Sequence, residues 1–476
     1  MRLLLFLAVP LFAQTPCADM ARLPDVTAAA QTATHCRVSI TLRPSADSEI
    51  TSEVWLPAAA AWNGTFLMVG GGGFVGSVNT GGMTKAVREG YASASTDTGH
   101  TGGSGSFALG HPEKIVDFAF RAVHETAVKA KALIAAYYGR GPRLSYWEGC
   151  STGGRQGLMS AQRYPDDFDG IIAGAPANNQ IYLCAWRMRL LMTALESPQH
   201  ALPPETLKLL NDAVLEKCDE RDGVKDRLIE DPRNCNFDAS ALKCSGPATA
   251  SCLTVQQLET VNAAYTDIRD SSGEILYPRL PVGGELGWLL PAGATEPSDM
   301  DIDMFRYIAN QNPAWDWRNF DLEKDIERAL LHGKDIHAVN PDLATFKARG
   351  GKLLIYHGWS DGGSGGAISA FNTISYYESV LKHMGPNQSN WLRLFMVPGM
   401  AHCGGGTGPD QFNALAALER WREQNEPPTS ITAARVNEGG GIDMTRPLCP
   451  YPQRAVYKGI GSTNDAANFT CEVKGY

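Results

Sequence analysis

After residue 13, the 476-residue chain has no apolar run approaching the roughly 20 residues needed to cross a bilayer. It also lacks long runs of one charge. Lys+Arg 42 against Asp+Glu 51 gives a formal charge of −9, spread along the chain, which argues against a sequence-independent partner such as nucleic acid. The phosphate-cradling pattern G-x-x-x-x-G-K-[ST] is missing, and there is no internal repeat or low-complexity tract. No histidine or open carboxylate cluster marks a metal-bound nucleophile. What is present is an ordinary globular balance, 43% hydrophobic and 20% charged, in a chain long enough for two or three domains or one large elaborated one.

Glycine is plentiful, at 49 residues, and clusters at 70 to 73, 102 to 105, 362 to 366, 404 to 408 and 439 to 441, as expected of tight functional loops. Met1-Arg2 followed by the apolar run Leu3 to Phe12 and the small residue Ala13 reads as a secretory signal peptide over residues 1–13. The expected location is secreted or periplasmic. In such an oxidising compartment eleven cysteines favour five disulfides and one leftover thiol.

Apolar runs ending at turn residues, at Glu53 to Leu56, Thr65 to Val69, Tyr91 to Thr96, Leu144 to Trp147 and Gly170 to Ala173, predict strands. Helical patterns over Pro112 to Tyr138 and Arg155 to Tyr164 lie between them. The pattern returns late, with strands at Lys352 to Tyr356 and Trp391 to Val397 and helices over Ala367 to His383 and Gln411 to Gln424. Such alternation predicts a mainly parallel sheet covered on both faces. Residues 178–340 show no clear alternation and read as an insertion into one α/β domain made of residues 14–177 and 341–476.

Gly149-Cys150-Ser151-Thr152-Gly153 matches G-x-S-x-G between a predicted strand and a predicted helix, the context of a nucleophile elbow. Ser151 needs a base to take its proton and an acid to orient that base. Asp361 follows the strand Lys352 to Tyr356, and His402 follows the next strand, so Ser151, Asp361 and His402 appear in the order such a site requires. The backbone N–H of Thr152 is one expected oxyanion donor. The second should come from Gly72 or Gly73 in the loop Gly70-Gly71-Gly72-Gly73-Phe74.

Gly149 to Gly157, with Tyr164-Pro165 and Phe168-Asp169-Gly170-Ile171-Ile172-Ala173-Gly174-Ala175-Pro176-Ala177, resembles the tannase and feruloyl esterase family of α/β-hydrolases. The resemblance runs from about residue 36 to Cys471. It implies an α/β-hydrolase fold with a large inserted lid domain and a disulfide fused to the catalytic residues, here Cys150 before Ser151 and Cys403 after His402. It also implies the pairings Cys17 with Cys36, Cys218 with Cys235, Cys244 with Cys252 and Cys449 with Cys471, leaving Cys184 over.

Asp219, Asp222 and Asp226 lie within eight residues of one loop, a density of hard oxygen donors that suits Ca²⁺ although the loop is no EF-hand. The resemblance adds the backbone carbonyls of Val224 and Leu228 and makes the ion structural. It further implies that aromatic residues of the insertion wall the substrate pocket; candidates are Trp288, Phe305, Trp315 and Trp317, with Tyr307 and Phe320. The expected activity is hydrolysis of small aromatic-acid esters of feruloyl or galloyl type, whether free or attached to plant polysaccharide or tannin. The rivals are a mono-hydroxyethyl terephthalate-type hydrolase, which would need an arginine in the insertion to grip a carboxylate, a peptidase or acyltransferase using the same three residues, and a non-catalytic polyphenol- or carbohydrate-binding module.

Overall fold

The computed structural model describes residues 14–473 except 289–295, 298 and 363–366; the proposed leader, residues 1–13, lies outside the described residues. Nine strands form the central sheet: β1 Val26–Gln31, β2 His35–Leu42, β3 Ile50–Pro57, β4 Thr65–Val69, β5 Ala92–Thr96, β6 Leu144–Cys150, β7 Gly170–Gly174, β8 Lys352–Gly358 and β9 Leu392–Val397. Their spatial order is β1-β2-β3-β5-β4-β6-β7-β8-β9. From β5 to β9 every neighbouring pair is parallel, whereas β1, β2, β3 and β5 pair antiparallel. β4, β5 and β7 are buried at every residue, as strands covered on both faces must be.

The main helices are α1 Thr80–Arg88, α2 Ala122–Tyr138, α3 Thr152–Arg163, α4 Gln180–Ala194, α5 Pro204–Cys218, α6 Val255–Ala264, α7 Leu322–Gly333, α8 Ala370–Met384 and α9 Ala414–Gln424. One face of the sheet packs against α2, α3 and α8, through residues such as Ala127, Leu158 and Ile374. The other packs against α1 and α9, through Met83, Ala86, Leu418 and Trp421. Every predicted strand and helix of the α/β part is present within a few residues of its expected ends, with one change. The single helix expected over Pro112 to Tyr138 is interrupted by a π-helical turn at Asp117–Arg121. There the carbonyls of Ala119 and Phe118 turn to accept from the buried Arg155 guanidinium at 2.9 and 3.2 Å.

Strands β1 and β2 and a late hairpin of Ile431–Val436 with Ile442–Leu448 were not anticipated. Between β7 and β8 the described residues add no strand to the sheet. They carry α4 to α7 and a small hairpin of Ile268–Arg269 with Ile275–Tyr277, around their own apolar cluster. Among the described residues no helix is long and apolar enough to cross a membrane.

Candidate active site

Ser151 stands between the end of β6 and the first residue of α3 with φ 63° and ψ −122°, a backbone conformation that side-chain-bearing residues avoid. The turn is as tight as its glycines imply, since a Cβ on Gly149 would meet the Gly153 carbonyl carbon at 2.6 Å. Ser151 N–H donates to Gly174 O at 2.9 Å and Ala177 N–H to Ser151 O at 3.1 Å, so β7 and its loop fix the strained residue from both sides.

Asp361 follows β8 and is 1% exposed. His402 Nδ1 donates to its Oδ2 at 2.7 Å, which leaves Nε2 as the proton acceptor of the imidazole. His357, the penultimate residue of β8, carries no signal in the sequence that marks it for the site. In the structure its Nε2 lies 3.0 Å from Asp361 Oδ2 and 3.1 Å from Ile368 O. Both partners are acceptors, so Nε2 carries hydrogen, while Nδ1 meets Thr373 Oγ1 at 2.7 Å. Ile368 N–H donates to Asp361 Oδ1 at 3.3 Å. Burial works against ionisation of Asp361, but the hydrogen bonds from His357 and His402 outweigh it and hold the carboxyl below the usual range.

His357 is thus a positioning residue for the acid. In His357→Leu the Asp361 carboxyl, losing this donor, becomes more basic and holds a proton on His402 more firmly. The expected result is a fall in kcat of about tenfold, with the acid limb of kcat/KM moved to higher pH. A stopped-flow or plate-based pH profile checks this; a purely structural role would leave the limb in place.

The Cys150–Cys403 disulfide joins the serine and histidine loops across 253 residues, with Cα atoms 6.0 Å apart. The other four bridges are Cys17–Cys36, Cys218–Cys235, Cys244–Cys252 and Cys449–Cys471, and Cys184 is a buried free thiol. The glycine loop after β4 is clamped to the elbow, because Gly153 N–H donates to Gly71 O at 2.8 Å and Thr152 Oγ1 to Gly73 O at 2.9 Å. Thr152 opens α3, where a backbone N–H has no intrahelical partner, and Gly73 takes φ +57°. This brings the expected donors Thr152, Gly72 and Gly73 beside Ser151.

Among the described residues, Ser151 borders two cavities. The larger, about 650 Å³, is lined by Gly70 to Gly73, Ser151, His402 and Cys403, with Lys85, Glu89 and Glu148 also in its wall. The smaller, about 30 Å³, lies between Ser151 and α4 and is walled by Gly73, Phe74, Thr152, Ala177, Gln180, Leu183, Cys184, Arg187, Met300 and Ile368. The aromatic candidates stand in neither wall. Trp288 is 3% exposed and packs against Tyr265, while Phe305, Trp315 and Phe320 pack on one another, and Trp317 is buried in the same apolar cluster. Tyr307 is stacked against by Arg306. The walls that Ser151 meets come from α4, Met300 and Ile368, residues whose apolar pattern alone does not separate them from core.

In the acidic loop, Asp219 accepts from the N–H groups of Asp226 and Arg227, Asp222 from Val224, and Asp226 from Leu228 and the Arg446 guanidinium. Glu230, which accepts from Ala455 N–H, adds a fourth carboxyl. Burial pushes Asp219 up, Asp222 up to about 6 and Glu230 up to about 8. Asp222, Asp226 and Glu230 thus face one buried guanidinium, that of Arg446, with Asp219 beside Asp226, a charge imbalance that a cation would relieve. Among the described residues no three His, Cys, Asp or Glu side chains gather tightly enough to hold an ion unaided, so the carbonyls expected of Val224 and Leu228 would be needed.

An eight-stranded run from β2 to β9 in this order, with a serine elbow after β6, an acid after β8 and a histidine after β9, defines an α/β-hydrolase. The family model described as tannase and feruloyl esterase matches residues 36–472. A probable feruloyl esterase B of Aspergillus clavatus is 36% identical over 461 residues, covering 92% of this chain and 86% of that protein. The crystal structure of feruloyl esterase B from Aspergillus oryzae matches with a TM-score of 0.86 and 34% identity over 92% of this chain and 90% of that one. That of another esterase from Aspergillus oryzae reaches 0.89, with 32% identity, over 96% and 99%. The chain belongs to the tannase and feruloyl esterase family and is a carboxylic ester hydrolase.

Proposed function

We propose that the protein hydrolyses esters of aromatic carboxylic acids through an acyl-enzyme on Ser151. The observation that carries this is the 2.7 Å bond from His402 Nδ1 to buried Asp361, beside a serine held on a strained elbow. His402 Nε2 takes the Ser151 proton as Oγ attacks the ester carbonyl, and Asp361 holds the tautomer and stabilises the imidazolium. The N–H groups of Thr152 and of Gly72 or Gly73 receive the developing oxyanion. His402 then protonates the leaving alkoxide, and a water deprotonated by the same histidine releases the acid.

The histidine sets the orientation of the ester. It borders the larger cavity and not the smaller, so the alcohol departs through the larger side. The acyl group is left to the slot against α4. Residues 178–340 act in this reading as a lid, and the alcohol is free or part of a plant polysaccharide or tannin.

The reading is tested on methyl ferulate, methyl gallate, a chlorogenic ester and mono-hydroxyethyl terephthalate. Turnover of the first three supports it. Preference for the terephthalate ester favours the carboxylate-gripping rival, and binding of every ester without turnover favours a non-catalytic module.

A structural Ca²⁺ held by Asp219, Asp222, Asp226 and the carbonyls of Val224 and Leu228 completes the proposal. It would neutralise the buried carboxyls and take no part in the chemistry. Excess chelator should lower the melting temperature by an amount set by mass action, and Asp222→Ala should do the same without altering the pH profile. Calorimetry showing an unchanged transition in chelator would count against the ion. Export through cleavage of residues 1–13 belongs to the same reading, and N-terminal sequencing of the mature protein checks it.

A further inference from the structure

The glycine run Gly70 to Gly73 holds no shape of its own, yet among the described residues the N–H groups of Gly72 and Gly73 donate to no protein acceptor, so their direction must be set from outside. The elbow fixes the near end of the loop through Gly71 O and Gly73 O. The far end is fixed by the turn that follows β5. There Thr98 Oγ1 donates to Val75 O at 2.6 Å, His100 Nε2 lies 3.0 Å from Phe74 O, and Gly76 and Gly102 exchange N–H to O bonds of 2.7 and 3.1 Å. Phe74 O can only accept, so Nε2 carries hydrogen, and burial lowers the affinity of the His100 ring for a second proton. The approach is close, since a Cβ on Gly76 would meet His100 Cδ2 at 2.7 Å. Thr98 takes φ 60°, a conformation in which a β-branched residue is an outlier. Nothing in the ester-cleaving steps uses either residue.

We infer that His100 and Thr98 are positioning residues for the oxyanion loop: by holding the carbonyls of Phe74 and Val75 they aim the N–H groups of Gly72 and Gly73 at the developing oxyanion. This rests on the reading of Gly72 or Gly73 as the second oxyanion donor and adds what orients it. Phe74 directly follows Gly73, so without its anchor the peptide planes of the glycine run can turn while the fold stays in place. Oxyanion donors accelerate the reaction only when they are already aimed, because a donor that must reorient offers the transition state little more than water does. Packing alone does not call for an imidazole here. The ring is 6% exposed and stacks on Phe107 with centroids 3.9 Å apart, a place that phenylalanine would fill equally well; what histidine adds is the N–H to Phe74 O. The turn has firm backing of its own, since Ser104 Oγ and Gly105 N–H donate to Asp303 Oδ2 of the insertion at 2.7 and 2.8 Å.

The test measures kcat and KM on an ester the wild type cleaves, and inhibition by an aryl trifluoromethyl ketone, for the wild type, His100→Phe, His100→Gln and Thr98→Val. The ketone carbon bonds to Ser151 Oγ, the serine proton passes to His402, and the ketone oxygen becomes an oxyanion in the site the donors face. His100→Phe keeps the stack on Phe107 and removes the N–H. Its kcat per titrated active site should fall by about 10- to 100-fold with less change in KM, and the Ki of the ketone should rise by a comparable factor. His100→Gln, which offers an amide N–H of similar reach, should recover most of both losses, and Thr98→Val should move both in the direction of His100→Phe. A role in packing alone would lower the melting temperature and the fraction of active sites without moving the Ki. Unchanged kcat in His100→Phe, a fall in kcat without loss of ketone affinity, or a glutamine variant no better than phenylalanine would overturn the assignment and leave the esterase standing. A wild type that cleaves esters yet is not inhibited by the ketone would overturn the oxyanion reading beneath it. If His100→Phe does not fold, Thr98→Val and His100→Gln decide.

Discussion

Ser151→Ala should lose roughly 10⁴- to 10⁶-fold in kcat on any ester the wild type cleaves, with its melting temperature little changed. The hydroxyl is the only group removed, and the backbone that positions it is held by Gly174 and Ala177 rather than by the side chain. If Ser151, His402 and Asp361 act as one unit, as proposed, adding His402→Ala to the variant should cost little more. The rate that survives would come from the donors of Thr152 and the glycine loop. Active-site titration must accompany the assay, since a trace of wild-type enzyme would mask a loss of this size. A Ser151→Ala protein with a tenth of the normal activity would remove the serine from the mechanism.

The second large effect is expected from Cys150→Ala combined with Cys403→Ala. A loop of this length, 253 residues, gives a chain-entropy stabilisation of roughly 5 to 6 kcal/mol. Four other bridges, each closing 22 residues or fewer, stay in place and preserve most of the fold. The local consequence is sharper. Cys403, with φ 62°, directly follows His402, and Cys150 directly precedes Ser151, so the bond fixes the distance between base and nucleophile. A displacement of about 1 Å there costs on the order of 100-fold in rate. The double variant should therefore remain folded by circular dichroism, lose about 100-fold in kcat and change less in KM. Near-normal kcat would show that the histidine loop needs no such tether.

Much of this arrangement was legible in the sequence. The elbow announces itself because glycines on both sides allow the tight turn that holds Ser151 at φ 63° and lets Gly153 N–H reach the Gly71 carbonyl. Asp361 and His402 follow strands that are mostly apolar and mostly buried, so their place at the carboxyl ends was readable. The five disulfides were readable only through the family resemblance, since spacing alone allows many pairings. The role of His357 was not, because its contacts with Asp361 and Thr373 depend on how the chain closes after β8. Nor were the walls of the slot. Trp288 and Phe305 carry the same aromatic signal whether they face substrate or core, and both are buried in the apolar cluster of the inserted segment. Strand β1 failed to register because Val26–Gln31 is largely alanine, a poor strand former placed by its pairing with β2. Helix α6, by contrast, carried an overlooked signal: Thr254 and Gln257 form a capping box.

The central claim, an activated Ser151 tethered to its histidine loop by Cys150–Cys403, is tested most directly by non-reducing peptide mapping after reaction with a fluorophosphonate, which traps activated serines. The account predicts one phosphonyl group on Ser151, in a peptide disulfide-linked through Cys150 to the peptide that carries His402 and Cys403. Label on another residue, no label on an enzyme that still hydrolyses esters, or a free thiol at Cys403 would contradict it.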